Sequence, residues 1–350
     1  MRTNLEVERL SEKFGIRAKR TEVIKKGVYR ITAAGGVDYC LKRMSNSPNE
    51  LRWIDKTLQR IQRKGSIQLG WRNLRENPGK PLFAKLKQKS PTSFILTPWL
   101  KGPWPSSASK KQMRECGILL AKFHQNGAQI SIPALGKQNM LGSWPSLLRV
   151  EQRKLLANIR KARRNGFNSP LDRLLQTYGS ELLNMAQTSM RELRVGSYRS
   201  ICKKTRPTLC HGDFGPTNVI RTRKGNGLID FETLRLDLRA YDLNRAIYNF
   251  CQGHNWNFSV AESFLDGYQT IFKLKREDYE MLKVLLRFPR GICRLIDNYD
   301  KRTAKVKRKV ELDFPQILSH ERQRAAFLRK LDAYAGGGES NRAEPLKLLR

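Results

Sequence analysis

Residues 209–242 read LCHGDFGPTNVIRTRKGNGLIDFETLRLDLRAYD, and this stretch indicates both the fold and the chemistry of the chain. Two short apolar runs flank an irregular loop that holds His211, Asp213 and Asn218, and a third apolar run ends at Asp230. Carboxylate and amide oxygens on loops between strands are suited to bind a divalent cation together with a phosphate-bearing ligand. The stretch therefore predicts a site for a metal-bound phosphate compound.

The spacing of these residues is more specific than their composition. His211, Asp213 and Asn218 fit the kinase catalytic-loop pattern H-x-D-x-x-x-x-N, and Asp230-Phe231 fits the D-F pair that follows the next strand. Asn218 and Asp230 are candidate Mg²⁺ ligands, because Mg²⁺ takes one or two protein ligands beside phosphates and water. Asp213 is then free to orient an acceptor hydroxyl and take its proton. The alternative is an ordinary turn rich in Asp and Asn. Such a turn could explain the loop pattern or the D-F pair separately, but it explains less well why both occur in this order.

Three segments of this stretch resemble the aminoglycoside phosphotransferase and choline kinase superfamily. They are His211-Gly212-Asp213-Phe214 through Asn218, Ile229-Asp230-Phe231, and Tyr241-Asp242-Leu243. The resemblance covers roughly residues 10–330 and implies an α+β, two-lobed protein-kinase-like fold, with a small β-rich N-lobe over 1–100 and a mainly helical C-lobe over 101–335. It implies ATP and Mg²⁺ as cofactors, and it makes Asp242 a structural brace of the catalytic loop.

Within that superfamily the chain is most similar to the CotS-type spore coat proteins. This narrower resemblance rests on the total length, the lysine strand Tyr39–Lys42, the tryptophan-rich stretch after it and the positive charge. It implies synthesis in the cytoplasm of the mother cell and a location in the spore coat. It also leaves open a kinase fold that serves as a catalytically weak or inactive structural protein of the coat.

The N-lobe is predicted to begin with a short helix over residues 4–15, followed by strands between residues 21 and 43. Segment 26–29 lies where the family has a Gly-rich loop over the nucleotide phosphates, but it holds a single glycine, and a plain strand is the alternative. Lys42 lies where the resemblance places the lysine that pairs with the α- and β-phosphates. A surface lysine in a basic protein is the alternative interpretation.

The segment Ser47-Pro48-Asn49-Glu50 predicts the start of the next helix. Its serine N-cap, proline at the first position and glutamate at the third have the pattern of a capping box. Glu50 has two interpretations that the sequence leaves open: it caps this helix, or it holds Lys42 in place for the nucleotide. Asp55, near the same helix face, is the other candidate partner of Lys42.

Residues 69–101 are predicted to complete the small sheet around a turn at 77–80. Strands are expected at 71–73, 83–86 and 93–96. The segment TPWLKG at 97–102 fits a linker between the lobes, where adenine would bind backbone groups. Pro98 has no N–H, so Trp99 or Leu100 would donate that bond; a simple edge strand and turn is the alternative.

The C-lobe is predicted to be mainly helical. An apolar stripe indicates a helix from Lys110 to His124, whose last residues are interpreted as core packing, and residues 146–200 have helical patterning as well. The second region carries a basic cluster: Arg153, Lys154, Arg160, Lys161, Arg163 and Arg164. Its ordinary interpretation is a solvated helix face, and its functional interpretation is contact with acidic spore coat proteins. Residues 336–350 are predicted to form a disordered tail.

The balance of charge is the compositional anomaly, because 68 Lys and Arg against 31 Asp and Glu give a net charge of +37. Such a surface attracts polyanions, yet the sequence has no recognised DNA- or RNA-binding module, so no specific nucleic acid partner is expected. No apolar run is long enough to span a bilayer, and the polar start does not have the pattern of a secretory signal. Six scattered cysteines without a C-x-x-C pair indicate reduced thiols in a cytosol.

Together these patterns predict transfer of the γ-phosphate of ATP to a hydroxyl group of an unidentified acceptor. Lys42 would hold phosphates, Asp213 would act as base, and Asn218 and Asp230 would hold Mg²⁺. An aminoglycoside acceptor is disfavoured, because a cationic substrate requires an acidic pocket and this chain is poor in acidic residues.

Overall fold

The computed structural model describes residues 2–72, 79–87, 90–128, 138–193 and 195–340. The N-terminal part is a small β-sheet region and the C-terminal part is mostly helical, so the predicted α+β class is confirmed. The strands are β1 (Ala18–Lys25), β2 (Val28–Ala33), β3 (Asp38–Met44), β4 (Gln68–Leu69), β5 (Ser93–Pro98), β6 (Thr208–Cys210), β7 (Val219–Thr222), β8 (Gly225–Leu228) and β9 (Arg235–Asp237). The helices are α1 (Arg2–Lys13), α2 (Pro48–Arg63), α3 (Lys110–Gly127), α4 (Trp144–Arg164), α5 (Pro170–Glu192), α6 (Val195–Lys204), α7 (Arg239–Cys251), α8 (Phe258–Gln269), α9 (Arg276–Arg287), α10 (Arg290–Ile296) and α11 (Ala304–Ser340).

The N-lobe is built on an antiparallel sheet with the strand order β1-β2-β3-β5. A two-residue turn joins β1 to β2, because Lys25 pairs with Val28, and Gly27 in that turn has φ +80°. This left-handed conformation favours glycine. Helix α1, predicted at 4–15, covers the sheet, and its apolar side chains share a buried cluster with the strands: Val7, Leu10, Phe14, Ile31 and Leu41.

Helix α2 begins with the predicted capping box. The Ser47 hydroxyl accepts a hydrogen bond from the Glu50 N–H at 3.3 Å, and the Glu50 carboxylate accepts one from the Ser47 N–H at 2.7 Å. The apolar face of α2 lies in the main core: Leu51, Ile54, Leu58 and Ile61. Full burial of such a side chain contributes about 1.5–3 kcal/mol, so this face fixes α2 against the start of the helical lobe.

Two of the strands predicted for the N-lobe are wrong. Trp71 lies outside any strand, because its buried indole points inward and donates to the Asp55 carboxylate at 2.9 Å. Ala84 makes only an isolated bridge to Phe94. In both segments an apolar side chain therefore packs inward without a ladder of backbone hydrogen bonds. Parts of both predictions, at residue 73 and at 77–78 of the turn, lie outside the described residues.

The helical lobe contains a close crossing of α3 and α8. A Cβ atom on Gly117 would lie 2.0 Å from the Phe264 carbonyl oxygen, and one on Gly267 would lie 2.0 Å from the Arg114 carbonyl oxygen. The two backbones are therefore in direct contact, which only glycine permits. This crossing positions the C-terminal turn of α3, which carries His124, beside α7.

The end of the chain differs from the predicted disordered tail at 336–350. Helix α11 continues through Ala335 to Ser340, and residues 341–350 lie outside the described residues. Extending an existing helix requires no new nucleus, so the glycines at 336–338 lengthen α11 despite their low propensity. None of the helices in the described ranges is both long and apolar enough to cross a membrane.

Candidate active site

The catalytic loop, residues 211–218, leaves β6 and returns into β7. Gly212 has φ +86°, and a Cβ atom there would lie 2.2 Å from the Thr233 carbonyl oxygen. Glycine is required at this position for its conformation and for this close approach. A 3₁₀ turn over Pro216–Asn218 closes the loop.

Asp242 in the first turn of α7 braces the catalytic loop. One carboxylate oxygen accepts from the His211 N–H at 2.6 Å and lies 3.1 Å from His124 Nε2, and the other accepts from the Gly212 N–H at 2.8 Å. Burial disfavours the charged carboxylate, but the hydrogen bond and charge of His124 and the hydrogen bond from the Gly212 N–H outweigh it, so the pKa of Asp242 is lowered. His124 also contacts the Tyr268 hydroxyl at 2.8 Å. His124 thus has a polar role, where the sequence indicated only core packing.

His211 joins the catalytic loop to the segment that carries Asp230. Its Nδ1 accepts from the Asp213 N–H at 3.3 Å, and its Nε2 lies 2.9 Å from the Ile229 carbonyl oxygen. A neutral ring with the proton on Nε2 satisfies both contacts. The ring is buried and lies 5.2 Å from the ring centroid of Phe231.

The two metal-ligand candidates, Asn218 and Asp230, lie next to each other. The Ile229 N–H donates to the Asn218 carbonyl oxygen at 3.1 Å, which ties the two segments together. Asn218 Nδ2 donates to the Asp213 carbonyl oxygen at 2.8 Å, which leaves its Oδ1 available to a metal ion. Asp230 has φ +68°, a conformation with a cost for a non-glycine residue and typical of functional sites. An amide oxygen and a carboxylate are the hard donors that fit Mg²⁺.

Lys42 reaches this pair from the N-lobe sheet. Its ammonium group forms an ion pair with Asp230 and lies 3.2 Å from the Glu232 carboxylate. The interpretation of Glu50 as the partner of Lys42 is therefore wrong in this structure, since the Glu50 carboxylate is held by the capping box. Asp55 is also excluded as a partner, because it pairs with the Arg72 guanidinium.

These residues line a cleft between the lobes with a volume of about 620 Å³. Lys42, Asn218 and Asp230 lie on its wall, together with Trp99 and Leu100 from the linker. The volume and the largely apolar wall fit a small-molecule site with a few polar groups at one end. The structure thus brings the predicted lysine, metal pair and linker residues into one cleft.

The linker settles which of the two predicted backbone donors is available. The Trp99 N–H already donates to the Asp38 carbonyl oxygen at 3.1 Å and extends the β3–β5 pairing, so the prediction that it donates to adenine is wrong. The Leu100 N–H has no acceptor among the described residues. Of the two predicted donors, only Leu100 therefore has an N–H that is free among the described residues. Trp99 lines the cleft as well.

The β1–β2 hairpin, whose turn contains one glycine, Gly27, borders the cleft. Lys25 and Val28, on either side of the turn, line the cleft with Ile24, whose side chain is otherwise exposed. The plain strand pair that the sequence left open is what forms here. On this side of the cleft β1 is an edge strand, paired only with β2 among the described strands.

Asp213 lies between the metal pair and two residues that sequence reasoning missed. One carboxylate oxygen is 2.5 Å from an Arg245 guanidinium nitrogen and 3.4 Å from Asn249 Nδ2, and the other is 3.4 Å from Asn218 Nδ2. Burial disfavours its charged form, but the hydrogen bond and charge of Arg245 outweigh burial and lower the pKa of Asp213. Asp242, Arg245 and Asn249 are spaced by three and four residues, so the sequence alone could have placed Arg245 and Asn249 on the same helix face as Asp242.

A family model described as "Phosphotransferase enzyme family" matches residues 25–283. Among curated proteins, a homoserine kinase of Granulibacter bethesdensis is 27% identical over 290 residues, which span 79% of this chain and 79% of that protein. Spore coat protein S of Bacillus subtilis is 22% identical over 301 residues, which span 83% of each.

Solved structures with a similar fold include an aminoglycoside phosphotransferase from Alicyclobacillus acidocaldarius, with a TM-score of 0.77, 19% identity and coverage of 94% of this chain and 96% of that one. An amicoumacin kinase solved with AMP-PNP and Ca²⁺ has a TM-score of 0.58, 14% identity and coverage of 87% and 89%. At these identities the structures establish the fold alone.

Proposed function

Because the chain belongs to the phosphotransferase enzyme family, we propose that it transfers the γ-phosphate of ATP, bound with Mg²⁺, to a hydroxyl group of an acceptor. Membership also confirms the superfamily resemblance and the kinase-like fold that it implied. The observation that carries the proposal is the meeting of Asn218 and Asp230 in the cleft, with Lys42 on one side and Asp213 on the other.

Each of these side chains has a role that its contacts support. Lys42 binds the nucleotide phosphates from the N-lobe, and Asn218 and Asp230 hold Mg²⁺, which supplies positive charge against the phosphate oxygens. Leu100 donates its N–H to adenine from the linker. Asp213 orients the acceptor hydroxyl and takes its proton.

The low pKa of Asp213 bears on how it acts. A carboxylate that Arg245 keeps ionised is available as an acceptor of hydrogen bonds at any ordinary pH. It is a weak base, so its main contribution is to position the hydroxyl. This suits phosphoryl transfer through a loose transition state, in which positioning and charge stabilisation dominate.

The test of this proposal separates binding from chemistry. Asp213→Asn keeps the shape of the side chain and removes its charge, so MgATP binding is expected to remain while turnover falls by roughly 10²–10⁴-fold. ADP release and MgATP binding are measured on the same preparation. Equal losses of binding and turnover would show that Asp213 has been given the wrong role.

A second candidate function is supported by the match to spore coat protein S and by the net charge of +37. In this alternative the kinase fold is a basic structural component of the spore coat, with weak or no catalysis, after synthesis in the mother-cell cytoplasm. The basic cluster on α4 would then contact acidic coat proteins. Two of its six members already have partners in the chain, since Lys154 pairs with Asp297 at 3.0 Å and Lys161 with Asp300 at 2.7 Å.

Charge reversal tests the coat contact. Arg160, Arg163 and Arg164 are exposed, and their replacement by glutamate should weaken binding to a coat extract in a salt-dependent way. The matched control reverses three exposed basic residues on α11: Lys305, Arg329 and Lys330. Equal effects of both reversals, or equal competition by DNA, would indicate general polyanion binding and contradict a coat-specific surface.

A further inference from the structure

An arginine cluster lies beside Asp213, on the side away from the metal pair. We define it by four residues: Arg235, Arg245, Arg290 and Arg294. Arg245 contacts one carboxylate oxygen of Asp213 at 2.5 Å, while Asn218 contacts the other. The lining of the nucleotide cleft includes Asn218 but none of the four arginines. Arg245 therefore borders the side of Asp213 that faces away from the metal pair, where an acceptor can approach.

Tyr241 ties the cluster to the catalytic loop. Its hydroxyl donates to the Gly212 carbonyl oxygen at 3.2 Å, one residue before Asp213. The Arg235 guanidinium stacks over the Tyr241 ring at 4.5 Å, and the ring of Trp144 lies 5.3 Å from that of Tyr241. Planar stacking fixes the orientation of a guanidinium group, so Arg235 has a defined position relative to the loop.

The other two arginines come from α10. The Arg290 guanidinium stacks over Trp144 at 5.2 Å and pairs with Glu151 at 3.0 Å. Arg294 follows Arg290 by four residues on α10, so the two side chains are neighbours on one face of this helix.

The acidic groups around the cluster leave it with excess positive charge. Asp213 pairs with Arg245 and Glu151 with Arg290. Neither Arg235 nor Arg294 has a carboxylate within ion-pair distance in the ranges that the structure describes. Asp242 is committed to His124 and the loop, and Asp237 accepts from the Trp144 indole and from the Leu238 N–H. Two of the four positive charges therefore remain without a partner.

We propose that the acceptor carries an oxyanion, a carboxylate or a phosphate, and that the arginine cluster binds it while Asp213 holds its hydroxyl. The inference rests on the proposed phosphotransferase function and deepens it by naming the acceptor class. Guanidinium groups bind such planar or tetrahedral oxyanions through paired hydrogen bonds. A cationic acceptor is excluded, because it would meet the unpaired charges of Arg235 and Arg294.

The transfer step balances within this arrangement. The acceptor oxygen forms a bond to the γ-phosphorus, and the bond between that phosphorus and the β,γ-bridging oxygen breaks. The electron pair of the broken bond leaves with ADP. The hydroxyl proton passes to Asp213, whose charge Arg245 compensates before the transfer.

The test uses the full chain loaded with MgAMP-PNP and four probes that share a three-carbon skeleton. Glycerate and glycerol 3-phosphate carry the oxyanion, glycerol is neutral, and 3-amino-1,2-propanediol is cationic. Affinities are measured by nuclear magnetic resonance titration. We expect at least one anionic probe to bind about 10-fold or more tightly than glycerol, with the cationic probe weakest. The two anionic probes distinguish a carboxylate from a phosphate acceptor.

Variants assign the binding to the cluster. Arg235→Gln with Arg294→Gln should weaken the anionic probes by about 10–100-fold and leave glycerol unchanged. Arg276→Gln is the matched control, because Arg276 is an exposed arginine on α9 that pairs with Glu280. Arg294→Gln alone, at an exposed position, keeps the test valid if the double variant does not fold.

Three results would overturn the inference: similar affinities for all four probes, a preference for the cationic probe, or equal losses in the Arg276 control. The absence of any MgAMP-PNP binding in the unaltered protein would instead overturn the proposed function. The probes are then titrated into the nucleotide-free protein, so charge selectivity is decided in either case.

Discussion

The catalytic loop and the β1–β2 hairpin border the same cleft but are held in opposite ways. The loop is fixed by buried hydrogen bonds, with Asp242 accepting from two backbone N–H groups and contacting His124, and with His211 linking it to the Asp230 segment. Strand β1 of the hairpin has mostly exposed side chains, and it pairs only with β2 among the described strands. The proposed catalytic residues are thus held firmly by the helical lobe, while the opposite side of the cleft is bordered by a lightly held edge strand.

The sharpest way to break this comparison is to remove the brace. Asp242→Asn replaces a buried acceptor oxygen by an amide group that cannot accept from both loop N–H groups and His124. Loss of one partner from such a buried network costs about 3–5 kcal/mol. Urea unfolding should show a lower free energy of unfolding by this amount. A loss below about 1 kcal/mol would contradict the bracing role.

The brace also has a predictable pH dependence. The pKa of Asp242 is lower in the folded chain than its ordinary value of 3.8, so its ionised form contributes stability above that pH. This contribution is lost as the pH falls through the folded-state pKa. The difference in unfolding free energy between the unaltered protein and Asp242→Asn should therefore be largest near neutral pH and narrow below about pH 4. A difference that stays constant into acid would argue against ionisation of Asp242.

Two glycines with the same conformation sharpen the comparison. Gly212 in the loop and Gly27 in the hairpin have φ values of +86° and +80°. An alanine at Gly212 would meet the Thr233 carbonyl oxygen at 2.2 Å, whereas one at Gly27 would meet the Arg43 Cβ atom at 3.1 Å, a tight contact that a small shift relieves. Left-handed strain costs about 1–2 kcal/mol at both positions, and the backbone clash adds about 1–3 kcal/mol at Gly212 alone.

The measurement for this pair combines unfolding with nucleotide binding. Gly212→Ala should lose more stability than Gly27→Ala, and it should also lose ADP release through displacement of Asp213. Gly27→Ala should retain most of its activity with a modest change in MgATP affinity. Similar losses at both positions would show that the loop is no more rigid than the hairpin.

Local motifs made the loop predictable from sequence. His211, Asp213 and Asn218 are spaced by the loop itself, and Asp230 follows a short hairpin, so the chain brings them together over few residues. Arg245 and Asn249 come from one helix face that meets the loop only in the folded state. The sequence shows a polar stripe on α7, but it does not show that this stripe contacts Asp213.

The partner of Lys42 could not be chosen from sequence for the same reason. Glu50 forms the capping box with Ser47, and because its carboxylate is held there it does not pair with Lys42. Glu232 lies nearly two hundred residues from Lys42, and only the packing of the lobes places it at 3.2 Å. The strand predicted at Trp71 is wrong for a similar reason, because the contact of its indole with Asp55 forms only in the folded chain.

The prediction with the smallest expected effect tests whether Glu50 only caps α2 and does not hold Lys42. Glu50→Gln weakens only the exposed capping box, so it should lower the free energy of unfolding by about 0.5–1 kcal/mol and leave MgATP binding unchanged. Glu232→Gln is the comparison, because it removes a charge beside Lys42 and should alter MgATP affinity. A large loss of MgATP affinity in Glu50→Gln would restore Glu50 as the partner of Lys42.

The central claim is that Asn218 and Asp230 form a metal–nucleotide site, and a thermal shift with MgATP tests it most directly. Ligand that binds only the folded chain stabilises it by RT ln(1 + [L]/Kd), about 2.7 kcal/mol at one hundred times Kd. The unaltered protein should therefore melt at a higher temperature with MgATP than with ATP and chelator. Asp230→Ala should lose most of this shift, and Asp300→Ala, at an exposed residue away from the cleft, should keep it. No shift at millimolar MgATP, or a full shift in Asp230→Ala, would contradict the account.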